Sequence, residues 1–346
     1  MTSTAASERP TTPTVIPANP PANPATPSEL PTTPPVIPAE AGIQESGGDP
    51  AAVEVLGFVG DLLEDVVVHR RSGVRADTDN PCVILRRRGG SAANAAVAAA
   101  GALGPERVRF FGQVGNDTLG DRLLDELAVQ GVRACVRRSG RTGTVVVLIG
   151  EAGERTMLTD RGACAELDGF ERAWLDDLAI LHVAGYSLLE DPSASAARRM
   201  IGAVRGAGGT VSVDACSVGA IADSGVVAFR ETLAEVVPDV LLCDAGEARL
   251  LESTGGYRQL AGLAIVKDGA RPTRLYGAGY DGEAIAPPHL EEVPDTTGAG
   301  DAFAGGLLAA RLEGCTWREA TVAGQAAAAA HLESLAELGG TMQTAE

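Results

Sequence analysis

The sequence predicts an α/β fold: a mainly parallel sheet with helices on both faces. Three observations carry that prediction. From Val53 onward, short apolar runs of strand length alternate with longer stretches of helical texture. Hydrophobic residues make up 45% of the 346-residue chain, enough to bury a sizeable core. The 43 glycines lie mostly outside the N-terminal segment, where an α/β chain needs tight turns and close backbone approaches.

Taken in order, residues 1–50 stand apart. They hold 12 of the 20 prolines, mixed with Thr and Ala. Proline fixes φ and removes a donor, so this extension is expected to be disordered and partly polyproline II. Val15–Ala18 recurs as Val36–Ala39, a weak repeat. The folded domain is expected over 51–336, followed by a flexible tail at 337–346. Within it, Val53–Val59, Val108–Gly112, Thr144–Ile149, Leu178–Val183, Thr210–Val213, Val240–Leu242 and Leu263–Val266 read as strands. Ser91–Leu103, Leu119–Gln130, Ser193–Arg205, Ala245–Glu252, Ala299–Leu312 and Arg318–Leu335 read as helices. The segment at about 66–88 breaks the rhythm. Val66–His69 and Cys82–Arg88 read as two short strands around a Gly/Asp/Asn-rich turn, a small flap on the main sheet.

Composition narrows the function. The net charge of −18 argues against a broad nucleic-acid or anionic-membrane surface and favours small-molecule substrates. No stretch reaches the roughly 20 apolar residues of a membrane span. The first ten residues lack an apolar core and a basic leader, so a cytoplasmic protein is expected. The six cysteines form no C-x-x-C pair and the four histidines no H-E-x-x-H, so a zinc site is not expected. Of 28 basic residues one is lysine, Lys267.

Two motifs carry chemistry. Asp295-Thr296-Thr297-Gly298-Ala299-Gly300-Asp301 leads straight into a helical run. Glycines let the backbone approach a ligand, and the free amides of a first helical turn suit an anion such as phosphate. A carboxylate beside that hole would repel phosphate, so Asp301 makes more sense as a general base than as a cap. Gly89-Gly90-Ser91-Ala92-Ala93-Asn94 opens an Ala-rich helix, and the Asn94 amide is suited to holding a polyol.

Together these motifs resemble the signatures of the ribokinase-like (PfkB) family of carbohydrate and nucleoside kinases. The resemblance covers about Val53 to Leu335. Further matches fall in order: Gly60–Asp65, Phe111–Gly120, Gly153–Thr156 and Val266–Gly269. It implies a three-layer αβα sandwich with a small β lid. It implies an ATP-dependent sugar kinase in which Asp301 is the base and Gly298, Ala299 and Gly300 form the anion hole. Asp65, Gly89, Gly90 and Asn94 would hold the sugar. Lys267, Gly269, Thr297 and Asp244 would flank ATP, and Glu247 would orient Mg²⁺ through water. The lid would close over the sugar and exclude water. In relatives this lid often forms a dimer interface, so a homodimer is expected.

Three departures qualify the match. The N-x-x-E motif reads Asp244-Ala245-Gly246-Glu247, Pro272 stands where a glycine is usual, and Gly162-Ala163-Cys164 replaces Gly-Ala-Asn. The first two motivate an alternative, a catalytically weak, ligand-binding member. A nucleoside kinase is the other alternative, weakened by only 3% aromatic residues. Ser91 stands where phosphofructokinase-like relatives often carry Lys. A neutral pentose or hexose, or a keto sugar acid, is therefore favoured. Arg86-Arg87-Arg88 reads first as a solvated strand edge and second as a greeting for an anionic substrate. No G-x-x-x-x-G-K-[ST] occurs, which excludes a P-loop enzyme.

Overall fold

A computed structural model describes residues 54–343, apart from 71–72, 151–154, 292 and 294. The expected extension at 1–50 lies outside the described residues. The chain begins β1 (Val55–Val59), β2 (Leu63–Arg70), β3 (Cys82–Gly89), α1 (Ser91–Leu103), β4 (Val108–Val114), α2 (Thr118–Val129) and β5 (Arg133–Arg138). It continues β6 (Thr142–Ile149), β7 (Arg155–Gly162), β8 (Leu178–Ala184), α3 (Ser193–Gly206), β9 (Thr210–Asp214), α4 (Val218–Ser224) and α5 (Val226–Val236). It ends β10 (Val240–Asp244), α6 (Ala245–Glu252), β11 (Leu263–Asp268), β12 (Arg271–Gly277), β13 (Tyr280–Ile285), α7 (Ala299–Leu312) and α8 (Trp317–Gln343).

The main sheet has nine strands in the order β13-β12-β11-β10-β9-β8-β1-β4-β5. Seven run parallel, and β12–β13 is an antiparallel hairpin at one edge. Both faces are covered. Leu56, Phe58, Phe110 and Ile265 pack with α1, α2 and α7 on one side. Val59, Phe111, Val213 and Leu241 pack with α3, α5 and α6 on the other. Buried on both faces, the strands read as unbroken apolar runs.

Two expectations are corrected. Residues 144–149, read as one of the regularly alternating strands, belong to β6 of a second sheet with order β3-β2-β6-β7. The lid is therefore four-stranded rather than a two-stranded flap, because β2 needs a partner on each side. Pairing β2 with β6 buries Leu63, Val67, Val145 and Val147 together. In addition, α8 runs on to Gln343, past the expected domain edge at 336. The strands β5, β7, β12 and β13 and the helices α4 and α5 lie outside the strands and helices expected from the sequence. β5 and β7 are mostly exposed, so their residues carry a charged texture.

Helices α1 and α7 come unusually close, and this positions the site. The buried face of α1 is all alanine: Ala92, Ala93, Ala95, Ala96, Ala99 and Ala100. Gly305 of α7 faces it so tightly that an added Cβ would lie 2.3 Å from the Ala95 carbonyl oxygen. Small residues on both sides bring the two helix heads together.

Candidate active site

A cleft of about 930 Å³ opens at the C-terminal ends of β9, β10 and β11, the usual ligand location in such sheets. Asp214 closes β9, Asp244 closes β10, and Lys267 lies at the end of β11. The head of α7 forms the facing wall with Ala299, Gly300 and Asp301.

Asp301 does not cap its helix. Gly298 is the N-cap, in the left-handed conformation at φ 78°, and no side chain caps the turn. A Cβ at Gly298 would lie 2.9 Å from His331 Nε2, which itself contacts the Thr297 carbonyl at 2.8 Å. Asp301 instead turns to α1. Ser91 Oγ donates to Oδ1 at 2.7 Å and Asn94 Nδ2 donates to Oδ2 at 2.9 Å. Burial pushes the Asp301 carboxyl up to about 6, against the pull of those two donors.

Lys267 Nζ donates to Asp214 Oδ2 at 2.6 Å, deep in the cleft. Burial alone would lower the lysine's pKa, but the charges of Asp214 and Glu247 outweigh it and hold the ammonium protonated. Its Nζ lies 3.4 Å from where a Cβ of Gly300 would stand, beside the first-turn amides of α7. Asp244 and Glu247 form a capping box. Asp244 Oδ1 accepts from the Gly246 and Glu247 amides at 2.6 and 2.8 Å, and Glu247 Oε2 accepts from the Asp244 amide at 2.7 Å. Burial pushes Glu247 up to about 7, with Asp214 adding to the rise. Among the described residues, no three His, Cys, Asp or Glu side chains are placed to hold a metal alone. Asp214, Asp244 and Glu247 border the cleft, and a hard cation there would meet these carboxylates through water while sharing phosphate ligands. Pro272 falls where the β11–β12 pairing jumps from Val266↔Arg274 to Asp268↔Arg271, so the missing N–H interrupts no regular ladder.

The cleft thus gathers Asp301, Ala299, Gly300, Lys267, Gly269, Asp244 and Glu247 from the sequence reading. Thr297 and Gly298 lie just behind it. Asp65, Gly89, Gly90 and Asn94 are not among the residues lining the cleft; Asn94 reaches it through its bond to Asp301. Asp65 is buried and faces Arg87 across the β2–β3 ladder at 3.8 Å. Burial raises its pKa against the charges of Arg87 and Arg88. A Cβ at Gly89 would lie 2.2 Å from Asp65 Oδ1, so any side chain there would displace that carboxylate. At Gly90, φ is 102° and a Cβ would lie 2.1 Å from the Asp61 carbonyl oxygen.

Asn94, expected to hold a polyol, also has partners within the protein. Its Oδ1 accepts from Arg88 Nη1 at 2.7 Å while its Nδ2 holds Asp301. Each end of the amide keeps a second hydrogen-bonding position, one acceptor and one donor. The solvated-edge reading of Arg86–Arg88 holds for Arg86 alone, which is exposed and pairs with Glu64 at 2.8 Å. Three partners escaped the sequence reading. Ser91 draws notice in the sequence for standing where a lysine is usual in some relatives, and Asp214 lies one residue past the expected strand Thr210–Val213. Arg161 forms a two-pronged pair with buried Asp61 at 2.8 Å on each arm. No local signal marks such pairs, since each joins distant segments. Arg155 opens β7 and reaches Asp295 at 3.2 Å and Thr296 Oγ1 at 2.8 Å, tying the lid to the loop before α7.

Comparison with known proteins agrees with this geometry. The model of the pfkB family carbohydrate kinases matches residues 83–337. A fructokinase from Vibrio alginolyticus is 32% identical over 267 residues, 70% of this chain and 82% of the relative. An adenosine kinase from Saccharomyces cerevisiae is 27% identical over 252 residues, 65% of this chain and 72% of the relative. Among solved structures, adenosine kinase from Sinorhizobium meliloti superposes with a TM-score of 0.69 at 25% identity, covering 81% of this chain and 93% of that one. A protein described as a ribokinase II from E. coli, solved with ATP and Mg²⁺, superposes at 0.66 and 24% identity, covering 78% and 89%.

The architecture is ribokinase-like, a parallel sheet sandwiched by helices and roofed by a β lid. The chain belongs to the pfkB family of carbohydrate kinases, a family of phosphotransferases acting on sugars and nucleosides.

Proposed function

We propose that this protein transfers the γ-phosphoryl group of ATP to a hydroxyl of a sugar. The observation that carries the reading is Asp301, held by Ser91 and Asn94 at the mouth of a glycine-led helix and facing the same cleft as Lys267. Asp301 takes the proton of the acceptor hydroxyl as that oxygen bonds to phosphorus and the bond to the β-phosphate oxygen breaks. The first-turn amides of Gly298, Ala299 and Gly300 face the charge that gathers on the phosphoryl oxygens. Lys267 and the Gly269 turn flank the nucleotide, while Thr297 and the capping box of Asp244 and Glu247 hold the phosphate-side loops in place. Glu247 and Asp214 would hold Mg²⁺ through water, and the ion would neutralise charge on the phosphates. Asp65, Gly89 and Gly90 border the acceptor, and Asn94 acts by orienting Asp301.

The similarity to adenosine kinases favours a second reading, a nucleoside acceptor. A coupled ADP-release assay on the full chain with Mg-ATP separates the two. One sugar turned over well above the acceptor-free background supports the first reading, and a nucleoside supports the second. ATP binding with no turnover of any acceptor would favour the weak, ligand-binding alternative. The lid also supports a homodimer. Pairing of Val68 with Ile84 and Leu148, and of Val146 with Leu158, lines up an apolar row on one face. Ile84 and Leu158 are 55% and 56% exposed, a surface a second copy would cover.

A further inference from the structure

Away from the head of α7, one face of α8 forms the cleft wall. Gln325, Ala328, Ala329 and Leu332 line the cleft, and their spacing of three and four residues stacks them on that face. Pro287 and Leu290 line it from the loop after β13. His331 of the same helix touches the Thr297 carbonyl beside the anion hole, and Gln325 lies about 9 Å before it along the helix axis. That leaves room for a ribose and phosphates between the two. A slot of small and aliphatic residues suits a flat ring, but apolar contact alone does not tell one purine from another.

The polar groups of this wall are therefore informative. Gln325 is 5% exposed and its neighbour Thr273 is 4% exposed. Gln325 Nε2 donates to Thr273 Oγ1 at 3.1 Å and to the Ile285 carbonyl at 2.8 Å. A backbone carbonyl can only accept, so Ile285 fixes which end of the amide is nitrogen. Thr273 follows Pro272 in β12, and the fixed φ of that unusual proline stiffens the strand that seats the amide. The other end, Oε1, accepts from no described residue and is not sealed from solvent. With Gln325 on the cleft wall, that free oxygen opens into the cleft.

An acceptor anchored in this way can choose between bases. Adenine carries an amino group at C6, a donor. Hypoxanthine and guanine carry a carbonyl there, an acceptor. Oε1 can receive the first and would meet the second lone pair to lone pair.

We propose that Gln325 selects the nucleotide: its anchored Oε1 accepts from the 6-amino group of adenine and disfavours purines with a 6-oxo group. The inference rests on the reading that a nucleoside triphosphate occupies this cleft, and it adds to that reading the side chain that chooses the base.

The test measures affinity on the full chain by calorimetry with ADP, IDP and GDP in the presence of Mg²⁺. Turnover is measured separately with ATP, ITP and GTP. The expected result is ADP bound about 10- to 100-fold more tightly than IDP or GDP. Gln325→Met keeps the length of the side chain and removes the acceptor, so the ratio of ADP to IDP affinity should fall toward one. Thr273→Val leaves Oε1 in place but loosens its seat, so it should give an intermediate ratio even if Gln325→Met fails to fold. A purely structural role would weaken both nucleotides alike and leave the ratio unchanged. Equal affinities in the wild type, binding of neither nucleotide, or a wild-type ratio in whichever variant folds would each overturn the proposal. A Gln325-dependent preference for ADP without turnover of any acceptor would overturn the kinase reading and leave the base selection standing. Equal turnover with ATP and ITP would do the reverse.

Discussion

Ser91 Oγ and Asp301 Oδ1 lie 2.7 Å apart across 210 positions of sequence. The bond joins the first residue of α1 to the first turn of α7. It exists because alanines and Gly305 let those helices approach closely. It fixes the rotamer of Asp301, leaving the carboxylate aimed at the cleft rather than at its own helix amides.

Replacing Asp301 with Asn should cut the phosphorylation rate by about 10²-fold or more while ATP binding persists. The base must be ionised to act, so the wild-type rate should fall as pH drops through about 6, a limb that Asp301→Asn abolishes. Stability should move the other way. The folded carboxyl holds its proton up to about 6, against 3.8 for the free group, so folding stability declines as pH rises across that window. Asp301→Asn escapes the decline. Its Tm should exceed wild type above pH 6, with the gap closing toward pH 4, as scanning calorimetry can check.

Gly305→Ala tests the close approach of the helices. The new methyl group would lie 2.3 Å from the Ala95 carbonyl oxygen, so α7 must shift. Denaturant unfolding should show a loss of about 1–3 kcal/mol. The rate should fall as well, because the shift pulls Asp301 away from Ser91 and Asn94. Unchanged activity in the folded variant would mean that this packing does not position the base.

Lys267 and Asp214 should behave as one unit. Lys267→Met leaves a buried carboxylate unpaired, at a cost of about 3–5 kcal/mol, and adding Asp214→Asn should recover part of that loss. Lys267 is also the only lysine of the chain. Its ammonium is buried and held protonated, so an amine-reactive label should spare this side chain in the folded protein and mark it on unfolding, as peptide mass spectrometry would read.

Asp244→Asn should preserve the fold, because Asn caps a helix as well as Asp does. It removes one negative charge from the phosphate side of the cleft. The expected outcome is an altered Mg²⁺ concentration for half-maximal rate with a Tm near that of wild type. A matching Mg²⁺ response in both proteins would show that Asp244 acts only as a cap.

Charge on the lid face should separate the proposed dimer. Ile84→Asp with Leu158→Asp places two carboxylates in the apolar row. Light scattering after size exclusion should then report a monomer where the wild type gives a dimer. A monomeric wild type would sink the lid-dimer proposal.

Much of this protein was legible in one dimension because its signals are local. Apolar runs marked the inner strands, since strands buried on both faces tolerate little else. Helices α1, α6 and α7 matched their expected limits, Ser91–Leu103, Ala245–Glu252 and Ala299–Leu312, where turn and cap residues punctuate them. The glycine-led entry to α7 and its Asp301 stood out because contiguous residues build one anion-binding turn. The exposed strands β5 and β7 carry charged textures, and nothing local marked them.

The tertiary structure alone decided who partners whom. It sent 144–149 to the lid, because pairing with β2 closes the Leu63, Val67, Val145 and Val147 cluster. It joined Asn94 to Arg88 and Asp301, and matched Arg161 with Asp61 and Lys267 with Asp214. Ion pairs and hydrogen bonds between distant segments depend on side-chain distances of a few ångströms. Periodicity and composition carry no record of those distances until the sheet, the helices and the lid have packed.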